Sequence, residues 1–224
     1  MDGTRIVMVR HGESVAQERR IVGGHKGCQG LSARGRAQVA ALRDRWAERD
    51  EMGGPVALYS SVMPRAIETA EILAPVLGVA DIDRHCDFCE HHPGEGDGLP
   101  WDTFDDRYPH PAEAWSPDHR RDPGGETWNE MAARVATGLD RLVEQHAGGT
   151  VVLACHGGVI VQAMIRWLAI DPMGGTEGAW FSPENASITE WRRRTNPYGN
   201  RMGAWELVRF NDHAHLAGTS LLVG

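Results

Sequence analysis

Two short motifs, Arg10-His11-Gly12-Glu13-Ser14 and Cys155-His156-Gly157-Gly158, each place a histidine and a glycine directly after a β-branched apolar run. The runs are Arg5 to Val9 and Thr150 to Ala154, and Arg65 follows a third, Val56 to Tyr59. In an open α/β sheet, ligands bind outside the carboxyl ends of the strands. Arg10, His11, Arg65 and His156 would therefore meet at one end of such a sheet. Guanidinium forks bind phosphate oxygens bidentately and neutralise their charge, while a neutral imidazole can attack phosphorus and form a covalent intermediate. A phosphomonoester, carrying about two negative charges near neutral pH, suits that chemistry. Either histidine alone could equally be a core residue with a satisfied ring. Two histidines and two arginines at strand ends from separate segments favour a site.

The elements that must position these groups show in the periodicity. Ser32 opens a helical pattern through Arg49, with Val39, Leu42 and Trp46 on one face. Pro64 stands where a first-turn proline starts a helix, whose stripe is Ala66, Ala70, Leu73 and Leu77. A weakly marked strand is expected around Val79 to Asp83. From about Cys86 to Gly125 periodicity vanishes, as in a lid or binding insertion. Thr127-Trp128-Asn129-Glu130 reads as a capping box for a helix to about His146. A further helix spans Val159 to Leu168, and two late strands, Ala186 to Trp191 and Ala204 to Phe210, complete the sheet, antiparallel at an edge. The expected fold is a single α/β domain over residues 1–224, a three-layer α/β/α sandwich with a mostly parallel central sheet and a loop-rich lid at about 86–125.

Composition narrows the ligand. The 224 residues are 41% hydrophobic and 24% charged, as in ordinary globular chains, and the net charge of −8 repels nucleic acid and anionic membrane. No run approaches the length of a membrane span, and the amino terminus lacks the apolar stretch of a signal peptide. Four cysteines are too few for a disulfide framework in a chain of this size, which fits a reducing cytoplasm. The expected partner is a small phosphorylated metabolite, with no nucleic acid and no membrane.

With these residues in view, the chain resembles the histidine phosphatase superfamily, whose fold is also called phosphoglycerate-mutase-like. Val7 to Ser14 is similar to its signature, Tyr59 to Ala70 to its second phosphate-binding block, and Cys155 to Gly158 to the third. Glu90-His91-His92-Pro93-Gly94-Glu95-Gly96-Asp97-Gly98 follows the acidic segment whose first glutamate is the proton donor. Leu31 to Gly35, Gly124 to Thr127 and Asn185 to Thr189 also fit, so the similarity covers nearly the whole chain. The resemblance implies a phosphatase that hydrolyses a phosphomonoester through a phosphohistidine on His11, with Glu90 as general acid and base. Arg10, Arg65 and His156 would bind the phosphoryl group and assist its transfer, aided by Ser14, Gln17 and Gly157. Gln17 stands where many members carry asparagine, and Pro93 and Gly96 replace aromatic residues. Glu13, the rival acid, is expected to organise the loop instead. The implied chemistry calls for no cofactor and no metal.

One other enzyme reading, one non-catalytic binding reading and one metal-site reading compete. A cofactor-dependent phosphoglycerate mutase would need the same pocket plus a clamp for a substrate carboxylate, which Asp102, Asp105 and Asp106 would oppose if they faced inward. A phosphoanion-binding module would keep the arginines and discard the nucleophile or the acid. His85-Cys86-Asp87-Phe88-Cys89-Glu90-His91-His92 offers Cys-x-x-Cys with three flanking histidines, a workable zinc spacing. No second cysteine pair follows, and a pair of ordinary thiols is the expected reading. In the insertion, Arg107, His119, Arg120 and Arg121 could grip an anionic handle, and Trp101 and Trp115 could stack on a ring.

Overall fold

The computed structural model of the chain describes residues 3–109, 116–170, 181–193 and 204–222. In chain order its elements are β1 (Arg5–Arg10), α1 (Val15–Glu18), α2 (Ala33–Arg49), β2 (Val56–Ser60), α3 (Pro64–Leu77), β3 (Asp83–Arg84), α4 (Trp101–Arg107), α5 (Trp128–Gln145), β4 (Thr150–Cys155), α6 (Gly157–Leu168), β5 (Ile188–Arg193) and β6 (Trp205–Asp212). The strands form one sheet in the order β3-β2-β4-β1-β5-β6. The first four in that order are parallel, β5 runs antiparallel to β1, and β6 antiparallel to β5.

Alternation along the strands makes three layers. Ile6, Met8, Val151 and Leu153 turn to one face, where α5 and α6 contribute Met131, Leu139, Ile160 and Ala163. Val7, Val9, Val152 and Ala154 turn to the other, against Val39, Leu42, Ala70 and Leu73 of α2 and α3. Both faces of the central strands are thus dry, which is why they read as continuous apolar runs. Each fully buried Leu, Ile, Val or Met contributes roughly 1.5–3 kcal/mol, and a one-residue slip would exchange the two faces, so the register is strongly fixed.

Helix starts follow their caps. The Ser32 hydroxyl accepts from Gly35 N at 3.0 Å, Pro64 occupies the first turn of α3, and Thr127 and Glu130 form a reciprocal capping box. Several boundaries differ from expectation. The third strand is only Asp83–Arg84 at the sheet edge, because Val79 and Ile82 instead pack on the core from loop backbone. Among its described residues, the 86–125 segment contains α4 and a 3-10 turn, Cys86–Phe88. α4 buries only Phe104 and has no side-chain cap, so its seven residues carry no periodic signal. α6 starts at Gly157, with His156 as its extended N-cap. Ala186 is left-handed, at φ 57°, and β5 begins after it.

Candidate active site

The strand order β2-β4-β1 sets three loop starts side by side. His11 N donates to Cys155 O at 2.9 Å and Ser61 N to Ala154 O at 3.1 Å, carrying the ladder one residue beyond each strand. β5 is antiparallel, so its leading residue Asn185 reaches the same end, where its Nδ2 donates to His11 O at 3.0 Å. Gly12 lets this loop lie against α2: a Cβ there would stand 2.3 Å from Gly35 O.

His11 is 4% exposed. Its Nδ1 lies 2.6 Å from Gly12 O, and a carbonyl can only accept, so Nδ1 carries the proton and Nε2 presents a lone pair. Arg65 Nε points between the two histidines, 3.0 Å from His11 Nε2 and 3.2 Å from His156 Nδ1. Both acceptors are therefore unprotonated, and His156 donates through Nε2 to Ser61 Oγ at 2.8 Å. Burial, with Arg65 and Arg10 nearby, holds the pKa of His11 well below the ordinary histidine value. Burial and Arg65, followed by His11 and Arg10, do the same for His156. His156 is thus neutral in this geometry. It sits behind the cavity wall, its ring centroid 5.0 Å from that of His11.

Arg10 and Arg65 share the cavity wall with His11. Arg10 Nη1 donates to Pro183 O, while Arg10 Nε is buried with no partner among the described residues. Burial lowers the Arg10 pKa, opposed by Glu90 and Glu184, yet an arginine remains charged. Arg65 is anchored through Nη1 to Gly23 O at 2.7 Å. Both arginines, His11 and Glu90 line a cavity of about 440 Å³. Glu90 accepts from His91 N and from Gly158 N, each at 3.0 Å, which aims the N-terminus of α6 at its carboxylate. Gly158 is required by this approach, since a Cβ there would stand 2.1 Å from Glu90 Oε1. The constellation can hold a dianion, attack it and exchange a proton with it.

Residues 6–212 match the family model of the histidine phosphatase superfamily, branch 1. The chain belongs to this superfamily. It is 30% identical to the metal-independent phosphoserine phosphatase of Arabidopsis thaliana over 222 residues, 98% of this chain and 86% of that protein. It is also 32% identical to phosphoglycerate mutase-like protein 4 of the same plant, over 71% of this chain and 69% of that one. Among solved structures, a mycobacterial glucosyl-3-phosphoglycerate phosphatase superposes with TM-score 0.73 at 27% identity, covering 93% of this chain and 99% of its own. A phosphoglycerate mutase from Bacillus anthracis shares the fold at TM-score 0.75 and 19% identity, over 96% of each chain.

Within this superfamily member, the other expected residues fall in three groups. Ser14 and Gln17 line the cavity, but they cap α1 reciprocally, and Gln17 Oε1 also receives Asn185 Nδ2 at 3.3 Å. Gly157 lies beside Arg10, where its Cβ would be 3.6 Å from Arg10 Nε, and is not part of the wall. Glu13 faces away, held by Ser32 Oγ at 2.6 Å and Arg34 at 3.3 Å. Ser61 and Asn185 were not singled out in the sequence, although both lie inside the quoted motifs.

From the insertion, His91, Pro93, Trp101, Phe104, Arg121 and Asp122 reach the wall. A Cβ on Gly96 would stand 2.1 Å from the Phe104 ring, so α4 supplies aromatic surface that residue 96 lacks. The acidic stretch does not face inward: Asp102 pairs with Arg20, and Asp105 with Arg121. Arg120 is taken up by Gly125 O and Glu130, and Arg107 and His119 are exposed. Trp115 lies outside the described residues. His25, Cys86, Cys89 and His92 bring four ligand atoms within 4.8 Å of one another, a grouping able to hold a metal. No helix among the described residues is long and apolar enough to cross a membrane.

Proposed function

We propose that this chain is a phosphatase that hydrolyses a small phosphomonoester through a phosphohistidine on His11. The fixed tautomer of His11 carries the reading: Gly12 O holds the Nδ1 proton, leaving Nε2 as the lone-pair nitrogen, 3.0 Å from the buried Arg65 Nε. A phosphate dianion in the cavity competes for the Arg65 Nε–H, which releases the Nε2 lone pair for in-line attack. As the N–P bond forms, the ester P–O bond breaks, and Glu90 gives its proton to the leaving oxygen. The Glu90 carboxylate then takes a proton from water, which attacks phosphorus and breaks the N–P bond, regenerating neutral His11 and free phosphate. The dianion's charge also favours protonation of His156, so that ring can add a donor when substrate is bound. The arginines supply the positive charge that metal ions supply in other phosphoryl-transfer sites, in keeping with the name of the metal-independent phosphoserine phosphatase relative.

Hydrolysis is favoured over mutase action by the rest of the wall. Beyond the phosphate end it presents Ile21, Val22, Trp101 and Phe104, and its remaining arginine, Arg121, is paired with Asp105. Such a wall offers little grip on a dephosphorylated carboxylate product that must stay to exclude water. The two phosphatase relatives point the same way.

Brief incubation with a phosphorylated substrate and an alkaline quench should leave acid-labile phosphate on the protein, absent in His11→Ala. Label undiminished in that variant would overturn the assignment. Supplying 3-phosphoglycerate with and without 2,3-bisphosphoglycerate separates the enzyme classes: free phosphate without need of the primer is expected, and primer-dependent isomerisation outrunning hydrolysis would make it a mutase.

A further inference from the structure

We propose that His25, Cys86, Cys89 and His92 form a structural zinc site that clamps the loop before α2 to the segment carrying Glu90. The four side chains come from two places, a Cys-x-x-Cys-x-x-His run and a residue some sixty positions earlier, and their ligand atoms all lie within 4.8 Å of one another. Cys86 Sγ is 3.5 Å from His92 Nε2 and 3.7 Å from His25 Nε2. Tetrahedral zinc with Zn–S near 2.3 Å and Zn–N near 2.05 Å requires sulfur–nitrogen edges of about 3.5 Å. The two sulfurs, at 2.9 Å, are too far apart for a disulfide and need to open to about 3.8 Å around the ion. Two thiolates and two imidazoles are the donor set that selects zinc among common divalent metals.

The surroundings prepare the ligands. Ser61 receives hydrogen bonds from His156 Nε2 and Met63 N, so its own hydroxyl proton points to Cys89 Sγ at 3.5 Å. That makes the sulfur an acceptor, the role of a thiolate. His92 turns Nε2 to the cluster and Nδ1 towards Glu126 Oε2, 4.0 Å away, the carboxylate–histidine arrangement common behind zinc ligands. Arg134 pairs with Glu126 at 2.7 Å and donates to Cys86 O and Cys89 O. On the other side, the Asp97 carboxylate accepts from the amides of Gly24, Lys26 and Gly27 at 2.8–3.0 Å, fixing the turn that presents His25. Zinc binding releases the two thiol protons to solvent and gives a neutral complex. All four positions are filled by protein, so the ion has no open coordination for substrate. Its effect is to pin the backbone on both sides of Glu90 and to hold Gly23, the anchor of Arg65.

Metal analysis of the purified full chain, expressed with zinc available, should find about one zinc per chain. Cobalt in its place should give the intense visible bands of a tetrahedral site and thiolate charge transfer. Cys86→Ser with Cys89→Ser should abolish both. Because the buried Cys89 change could impair folding, His25→Ala, on an exposed loop residue, provides a second variant that should retain its circular dichroism yet bind zinc more weakly in chelator competition. Glu126→Gln should weaken zinc about 10- to 100-fold. Absence of stoichiometric zinc and of cobalt uptake would overturn the proposal. So would a Cys86–Cys89 disulfide in the isolated protein, another metal at that stoichiometry, or zinc retained by the double cysteine variant. None of these readouts depends on phosphatase activity.

Discussion

At the scale of single residues, protonation is set by who can donate. Gly12 O and Arg65 Nε between them define His11 as neutral, with its lone pair on Nε2. Because burial and two arginines lower its pKa, nuclear magnetic resonance should show the His11 ring titrating well below the ordinary value of about 6.5. The His11 ring thus stays unprotonated through mildly acidic pH, and a titration at or above about 6.5 would contradict this geometry. Glu90 yields a second prediction. Glu90→Gln should lower turnover of alkyl phosphates roughly 10²- to 10⁴-fold and that of nitrophenyl phosphate far less, because a good leaving group needs no proton. Equal losses on both esters would identify another donor. That Arg10, His11, Arg65 and His156 gather at one end of the sheet was legible from their position after apolar runs, and Glu90 from the resemblance. Ser61 and Arg134 were not, since each acts through hydrogen bonds to groups distant in sequence, and His25 carries no local signal for its meeting with Cys86.

At the scale of elements, strands and capped helices were readable because each obeys a local rule, whether alternation burial, a first-turn proline or a capping box. α1, α4 and β3 were not, the first being a single four-residue turn, the second having one buried residue and the third only two residues at a sheet edge. α6 shows where a local rule yields to a site. Glycine in a helix costs about 1 kcal/mol relative to alanine, yet Gly158 stands in its first turn because Glu90 Oε1 occupies the space of a Cβ. Gly158→Ala is therefore expected to leave the melting temperature within a few degrees, as the nearest atoms are ends of the flexible Glu90 and Met131 side chains. Turnover of alkyl phosphates should fall towards about 10²-fold, the lower end of the range for loss of a general acid. If activity is unchanged, the contact between Glu90 and Gly158 N does not position the acid.

At the scale of the whole molecule, the antiparallel edge is tied to α2 by charges that no short motif announces. Arg45 reaches Glu51 at 2.5 Å and Asp212 at 2.7 Å, and Arg209 reaches Glu51 and Glu190, each at 2.8 Å. Arg5 closes the set on Glu190 at 2.7 Å, across 185 positions of sequence. The Arg45 hydrogen bond holds the Asp212 carboxyl far below its usual range. Burial alone would raise Glu51 and Glu190, but hydrogen bonds from Arg45 and Arg209 to the first, and from Arg5 and Arg209 to the second, bring both below the ordinary carboxylate value. Carboxylates with a depressed folded-state pKa take up protons more readily when unfolded. Their contribution to stability is present above the unfolded value, about pH 4, and is lost as pH falls through the folded one. Arg45→Met removes one of the two cations that Glu51 and Asp212 share, leaving them Arg209, so its cost near pH 7 should stay below the roughly 3 kcal/mol of a buried pair broken from one side. Urea denaturation should show that cost shrinking as the pH is lowered towards about 3, because in the variant both carboxyls can protonate in the folded state as well. A penalty of equal size at both pH values would mean that Arg45 stabilises the edge by packing of its aliphatic stem and not by its charge.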